Sequence, residues 1–401
     1  MKIGIHLGSD VPESGGVYTF QRSIGEALME IASQSQHSFV IFHGNQVKLS
    51  PTRNVTSVPL NLPKYVRAYY RFYRSIGYVA NILNCQPFLI PQDSGEARRI
   101  EQSGVDIVWY VGPFCYTMDM PYIITVLDLQ HRIQPYFPEV SANGIWEKRE
   151  QIYSIKLRRA TKIIVSTEVG KKEIETFYQV PADRIQVLPY AAPKYNSSLT
   201  GNCNKENVMM KYNIPNNYLF CPGQFWPQKN HVGLLYALQI LLNKWNISLP
   251  VVFTGSDKGN LDHVKKVAAE LGVNKQVYFL GFIPIEDIAA LYKNALALTM
   301  PTLVGPDNIP ALEAFALSCP VITSNLPGFE EQLGDAAVLV NPQNELEIAL
   351  AIKQLYENPM LRNTLIKRGL DRVARWTWQD YVKGVISTIE DFASIRRCWG
   401  K

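Results

Sequence analysis

Short apolar runs rich in β-branched and aromatic residues alternate with longer stretches whose apolar positions recur every three or four residues. In the first half the runs predict strands over 2–7, 38–42, 106–110, 122–126, 162–166 and 184–188, with helices over 17–32, 64–83, 145–160 and 169–178 between them. In the second half strands are expected over 218–221, 250–254, 276–280, 295–300, 321–323 and 337–340, with helices over 232–243, 261–271, 284–294, 309–317 and 345–357. Strands that alternate with helices imply parallel sheets covered on both faces. The stretch 190–217, rich in Asn, Ser, Pro and Gly, lacks periodicity and reads as an interdomain linker. The expected fold class is α/β, with two doubly wound domains facing each other across a cleft: 1–190 and 191–379, with a last helix over about 380–401. In such domains ligands sit beyond the carboxyl ends of the strands.

The length of 401 residues suits two domains, and 47% hydrophobic against 19% charged residues excludes a disordered chain. No apolar run is long enough to span a bilayer, and the start reads as a strand rather than a signal peptide. A net charge of +5 is too small to argue for nucleic acid. The six cysteines are scattered without a C-x-x-C pair, which points to reduced thiols in a cytoplasmic protein and away from zinc.

Two stretches could carry chemistry. Leu303-Val304-Gly305-Pro306-Asp307-Asn308-Ile309-Pro310-Ala311-Leu312-Glu313 is a polar loop that opens a helix, with Pro310 near the first helical position. Its amides and helix start suit a phosphate, and Glu313 can reach ligand hydroxyls, although an acidic residue there also simply favours the helix dipole. Phe220-Cys221-Pro222-Gly223-Gln224-Phe225-Trp226-Pro227-Gln228-Lys229 is likewise a strand, a turn and a helix start. Lys229 can neutralise a departing phosphate, or be a solvated lysine. Trp226 can stack on a ligand or anchor the turn.

Together these stretches resemble the second domain of GT-B glycosyltransferases, specifically the retaining family 4. That family shows a G-R-x-x-x-x-K loop, matched by Gly223 to Lys229, and an E-G-F-G-L-P-x-L-E loop, matched by Gly305 to Glu313. The segments Pro320-Val321-Ile322 and Pro327-Gly328-Phe329-Glu330-Glu331 continue the likeness. The resemblance implies a GT-B fold and a nucleoside-diphosphate sugar donor. It casts Glu313 as ribose binder, Lys229 and Gln224 at the diphosphate, and Gly281 and Phe282 at the base. Two positions depart from the family: Gln224 replaces its arginine and Gly305 its first glutamate, so Asp307 or Asn308, beside Ile309 and Pro310, would take over the contact to the donor sugar.

In the first half Ser14-Gly15-Gly16-Val17 opens a helix, and the family's glycine pair here abuts the diphosphate; read alone it is also an ordinary turn. Thr125-Val126-Leu127-Asp128-Leu129-Gln130-His131 stands where the family shows T-x-H-D-L, with Leu127 in place of the histidine. Asp128 and His131 are expected to face the cleft and orient the acceptor, unless Asp128 only caps the next segment. No D-x-D occurs, so no metal and no other cofactor is expected.

Residues 64–74 form a basic, aromatic helical pattern. Lys64, Arg67, Arg71 and Arg74 fall within an arc of about 80° at 100° per residue. That stripe suits a lipid-linked acceptor or an anionic membrane surface, with peripheral attachment at the inner face of the plasma membrane, or else a solvated face. The leading expectation is a retaining, metal-independent transferase. It would move a hexose-type sugar from a nucleoside-diphosphate donor, UDP favoured, to a saccharide or lipid-linked saccharide in surface polysaccharide assembly. The alternatives are a non-catalytic nucleotide-sugar-binding scaffold, a GT-B epimerase and a two-domain solute-binding protein.

Overall fold

The computed structural model describes residues 1–8, 10, 15–44, 53–60, 95–113, 115–116, 119–195 and 205–400. The basic stretch bearing Lys64, Arg67, Arg71 and Arg74 lies outside them.

Seven strands make the first sheet: β1 (Lys2–Gly8), β2 (Ser38–His43), β3 (Val55–Pro59), β4 (Ile107–Tyr110), β5 (Tyr122–Thr125), β6 (Lys162–Val165) and β7 (Ile185–Val187). Their order is β3-β2-β1-β4-β5-β6-β7, parallel throughout. The second sheet holds β8 (Leu219–Pro222), β9 (Val251–Thr254), β10 (Val277–Phe279), β11 (Ala297–Met300), β12 (Val321–Ser324) and β13 (Val338–Val340), in the order β10-β9-β8-β11-β12-β13 and again parallel. The helices of the first half are α1 (Gly16–Ile31), α2 (Gly95–Gln102), α3 (Gln130–Ile133), α4 (Pro138–Ser141), α5 (Ile145–Arg159) and α6 (Glu168–Tyr178). Those of the second are α7 (Lys205–Lys211), α8 (His231–Trp245), α9 (Leu261–Glu270), α10 (Ile285–Asn294), α11 (Ile309–Ala316), α12 (Phe329–Leu333), α13 (Glu345–Glu357), α14 (Pro359–Val373) and α15 (Trp378–Arg396).

Side-chain alternation divides the core. From β4, Ile107 and Trp109 join one apolar cluster while Val108 and Tyr110 join the other, because successive side chains of a strand point to opposite faces. The first cluster spans both domains and includes an aromatic knot that fastens α15 to α1. Phe20 of α1 lies 4.9 Å from Tyr190 and 5.4 Å from Trp378, which lies 5.4 Å from Tyr381. Thr377 and Asp380 form a capping box that starts α15, and its buried face packs on α1. The C-terminal helix thus returns to the first domain. Among the described residues no helix is long and apolar enough to cross a membrane.

Three differences from the sequence reading concern weakly patterned segments. The stretch read as linker contains α7, which packs on α10: Lys211 Nζ and Tyr212 Oη each lie 2.6 Å from Asp287 Oδ2. Strand β3 and helix α2 were not anticipated; both are short, and β3 is half exposed at the sheet's edge. Helix α14 was missed although Asn358 caps it and Pro359 occupies its first position, because its apolar face is narrow.

Candidate active site

Each sheet reverses its winding once, between β1 and β4 and between β8 and β11. At such switch points the loops leave the strands in opposite directions and open a crevice. Here the two crevices face each other and enclose two adjoining cavities, of about 390 Å³ and about 240 Å³, which share Gly16, Ile309 and Pro310.

The larger cavity is lined by Gly15 and Gly16 from the start of α1, and by Gln224, Phe282, Ile309, Pro310 and Glu313 from the second domain. The smaller is lined by Asp128, Lys229, Asp307, Asn308, Ile309 and Pro310. Most of the residues singled out in the sequence therefore converge. Gly281 lines neither cavity; it turns the chain at a φ of 68°, and its carbonyl accepts from the Gly255 N–H at 2.7 Å.

His131 is corrected. Its side chain is fully buried behind the cleft, with Nε2 3.1 Å from Tyr178 Oη and 3.5 Å from a Glu150 carboxylate oxygen. Burial, aided by Arg149, pushes it down to about 4, so it is neutral at ordinary pH. It sits in α3, whose turn points its ring into the first domain's core rather than along β5 into the gap. Asp128 does line the gap. Its carboxylate accepts from Arg149 Nη2 at 2.5 Å and from the Gln130 backbone N–H at 3.0 Å, so capping and cleft exposure hold together.

Close packing at two glycines shapes the loops that line the cavities. A Cβ on Gly255, where φ is 126°, would fall 2.2 Å from the Gly223 carbonyl oxygen. One on Gly328, at φ 91°, would fall 2.2 Å from that of Pro306. The turn before Lys229 and the loop before α11 are thus each seated on a residue without a side chain.

Lys229 ends a short 3-10 turn, and its ammonium has no ion-pair partner among the described residues. Burial holds its pKa below the usual lysine range. Gln224 accepts from the Trp226 indole N–H at 2.9 Å, so Trp226 braces the turn. Asn308 is buried, and its amide donates to Thr323 Oγ1 at 3.0 Å, while its Oδ1 has no partner.

Glu313 lies one full turn into α11 rather than in its first turn. Burial pushes its carboxyl up to about 7, against hydroxyl bonds from Tyr292, at 2.8 Å, and Tyr195. Asp307 is likewise pushed up to about 7, chiefly by burial and then by Asp128, while the Ser166 hydroxyl donates to it at 2.6 Å from across the gap. Glu173 of α6 joins this group, raised to about 7 by burial and by the charges of Asp128 and Asp307. Glu173, Tyr195 and Ser166 were not anticipated: each sits in an ordinary helix, linker or strand end, and no motif marks them. Among the described residues no three His, Cys, Asp or Glu side chains are placed to hold a metal ion.

The domains also meet directly. Besides Ser166 and Asp307, the Glu331 carboxylate accepts from the Glu168 N–H at 3.0 Å. Gln134 Nε2 donates to the Leu303 carbonyl at 2.9 Å, and Glu139 accepts from the Gln228 N–H at 3.0 Å. A lysine without an ion-pair partner among the described residues, a helix start and a hydroxyl-bound carboxyl between two domain walls make a site able to hold a polyanion and draw off negative charge.

Residues 204–372 match the family described as glycosyl transferases group 1. The chain is 28% identical over 227 residues to O-antigen chain mannosyltransferase B of Escherichia coli, covering 56% of this chain and 59% of that protein. To O-antigen chain mannosyltransferase RfbU of Salmonella typhimurium it is 26% identical over 251 residues, covering 62% and 65%. The alignments thus span about three fifths of these relatives. Anabaena Alr3699/HepE, solved in complex with UDP and glucose, superposes with a TM-score of 0.66 at 15% identity over 98% of this chain and 100% of that one. Residues 204–372, which make up most of the second Rossmann-like domain, thus match glycosyl transferases group 1, and the two-domain architecture is of GT-B type.

Proposed function

We propose that the chain is a retaining glycosyltransferase of GT-B family 4 that moves a hexose-type sugar, without a metal, from a nucleoside diphosphate to a saccharide or lipid-linked saccharide in surface polysaccharide assembly. The observation that carries this reading is the convergence of an unpaired Lys229, the start of α11 and Glu313 on joined cavities between the domains. The mannosyltransferase relatives favour mannose as the sugar. UDP stays the first nucleotide to test, supported by the UDP-bound structural neighbour, and GDP is the second.

In this mechanism the diphosphate lies at the seam of the two cavities, against Gly15, Gly16 and the α11 amides. Glu313 accepts from the ribose hydroxyls. Asp307 and Asn308 hold the sugar, and Asp128 orients the acceptor. The acceptor hydroxyl attacks from the leaving-group side and passes its proton to a donor phosphate oxygen, while Lys229 and the helix start stabilise the departing diphosphate. The closed gap limits hydrolysis by excluding water. A membrane surface met through Lys64, Arg67, Arg71 and Arg74 belongs to the same proposal, with the chain working in the cytoplasm.

The test is transfer from UDP-, GDP-, ADP- and TDP-hexoses, followed by release of the nucleoside diphosphate. One donor class should support turnover. Lys229→Ala should lower kcat about 100-fold or more, the scale of losing one stabiliser of developing negative charge. Full activity in Lys229→Ala refutes the leaving-group role, and binding of nucleotide sugar without turnover favours the non-catalytic scaffold.

A further inference from the structure

On the reading of the site given above, the seam between the cavities takes the diphosphate and Glu313 the ribose. The base then occupies the far end of the larger cavity, against Phe282, Ile283 and Ile288. Those walls are apolar, and Phe282 is 49% exposed at the mouth with no aromatic partner among the described ring contacts. The opposite wall comes from the other domain. Tyr18, Thr19 and Arg22 lie at i, i+1 and i+4 on one face of α1 and line the same cavity.

Arg22 is the only cationic side chain lining this cavity among the described residues. It lies six residues beyond Gly16, about 9 Å along the helix at 1.5 Å per residue, and unlike Gly16 it lines the larger cavity alone, away from the seam. Its Nε is held 2.7 Å from Glu26 Oε1, one turn along the same helix. That contact engages one of the five N–H groups of the guanidinium fork. Second-domain residues Phe282 to Ile285 and Ile288 line the same cavity as Arg22, and the charge of Glu286 in the first turn of α10 adds a weak attraction to it, after that of Glu26.

We propose that Arg22 reads the nucleobase from the first domain, selecting bases that present carbonyl acceptors, guanine or uracil, over adenine. A guanidinium only donates hydrogen bonds. Guanine offers O6 and N7 side by side and uracil offers carbonyl oxygens, whereas adenine places an amino donor where guanine has O6. The base pocket is therefore completed only when the two domains are closed on each other, because one wall belongs to each. Recognition of the base then supports the same closure that excludes water from the reacting sugar.

The experiment is titration of the full chain with GDP, UDP and ADP by calorimetry, for wild type, Arg22→Ala and Arg22→Lys. Wild type should bind GDP or UDP at least about tenfold more tightly than ADP, the scale of one hydrogen bond to a charged group. Arg22→Ala should lose that preference while its ADP affinity stays within about twofold, and Arg22→Lys, which keeps the charge but not the planar fork, should retain part of it. An unchanged base preference in Arg22→Ala, or no preference in wild type, overturns the inference and leaves the proposed function standing. If wild type binds none of the three, the reading of the site falls and takes this inference with it.

Discussion

At the residue scale, the site's carboxyls are tuned by where the chain buries them. Glu313 is raised to about 7 by burial, and in the proposed role at the ribose it accepts from both hydroxyls most strongly when ionised. Donor KM should therefore fall as pH rises through about 7, and Glu313→Gln should flatten that dependence while raising KM at pH 8; an unaltered profile in the variant would show that another group is titrating. Glu173 makes the corresponding statement about stability. Its folded-state pKa of about 7 exceeds the usual value of 4.5, so the native state binds the extra proton between those values. Its contribution to stability is then lost as pH rises from about 4.5 to about 7. Glu173→Gln should raise the melting temperature at pH 8, by about 2–4 °C per kcal/mol recovered, and leave it nearly unchanged at pH 4.5. The sequence showed Glu313 and Lys229 because a loop and a helix start frame them. It misplaced His131: three residues beyond Asp128 the chain has already entered a helical turn, and that turn aims the ring inward.

At the element scale, the turns that end β8 and β9 matter most. Gly255 at φ 126° holds its backbone against the Gly223 carbonyl, and a methyl group there would strike backbone that cannot swing aside. Gly255→Ala should destabilise the second domain by about 2 kcal/mol or more, through strain and the forced separation of the two turns. It should also weaken nucleotide binding, because the displaced turn carries Gln224 and leads to Lys229. A melting curve and an affinity like those of wild type would show that the turns yield. The strands and long helices were legible because their apolar runs and periodicities are strong, as in β4, buried at every position, and in α1. Helix α7 was not, since it is short and lies among turn-forming residues; its packing on α10 stabilises it, not its own propensity.

At the scale of the whole molecule, two sheets, two chain crossings and α15 bring facing loops together. The bonds from Ser166 to Asp307 and from Glu168 to Glu331 cross the gap. Removing both, as Ser166→Ala with Glu331→Ala, should cost the closed state about 2 kcal/mol and enlarge the open population tenfold or more. In solution scattering the double variant should show a larger radius than wild type without ligand, and the two should converge when nucleoside diphosphate is added; equal radii without ligand would show that these bonds do not hold the gap. The sequence by itself determined the two parallel α/β halves and the loops able to meet a phosphate, because local periodicity, glycines and helix starts encode those directly. The tertiary structure alone decided which side chains come together across the domains: that Arg22 and Phe282 line one cavity, that Ser166 meets Asp307, and that His131 is excluded. Those pairings depend on how the two sheets are docked, through contacts such as Ser166 to Asp307 and Gln134 to Leu303, and no pattern along one strand or helix specifies that docking.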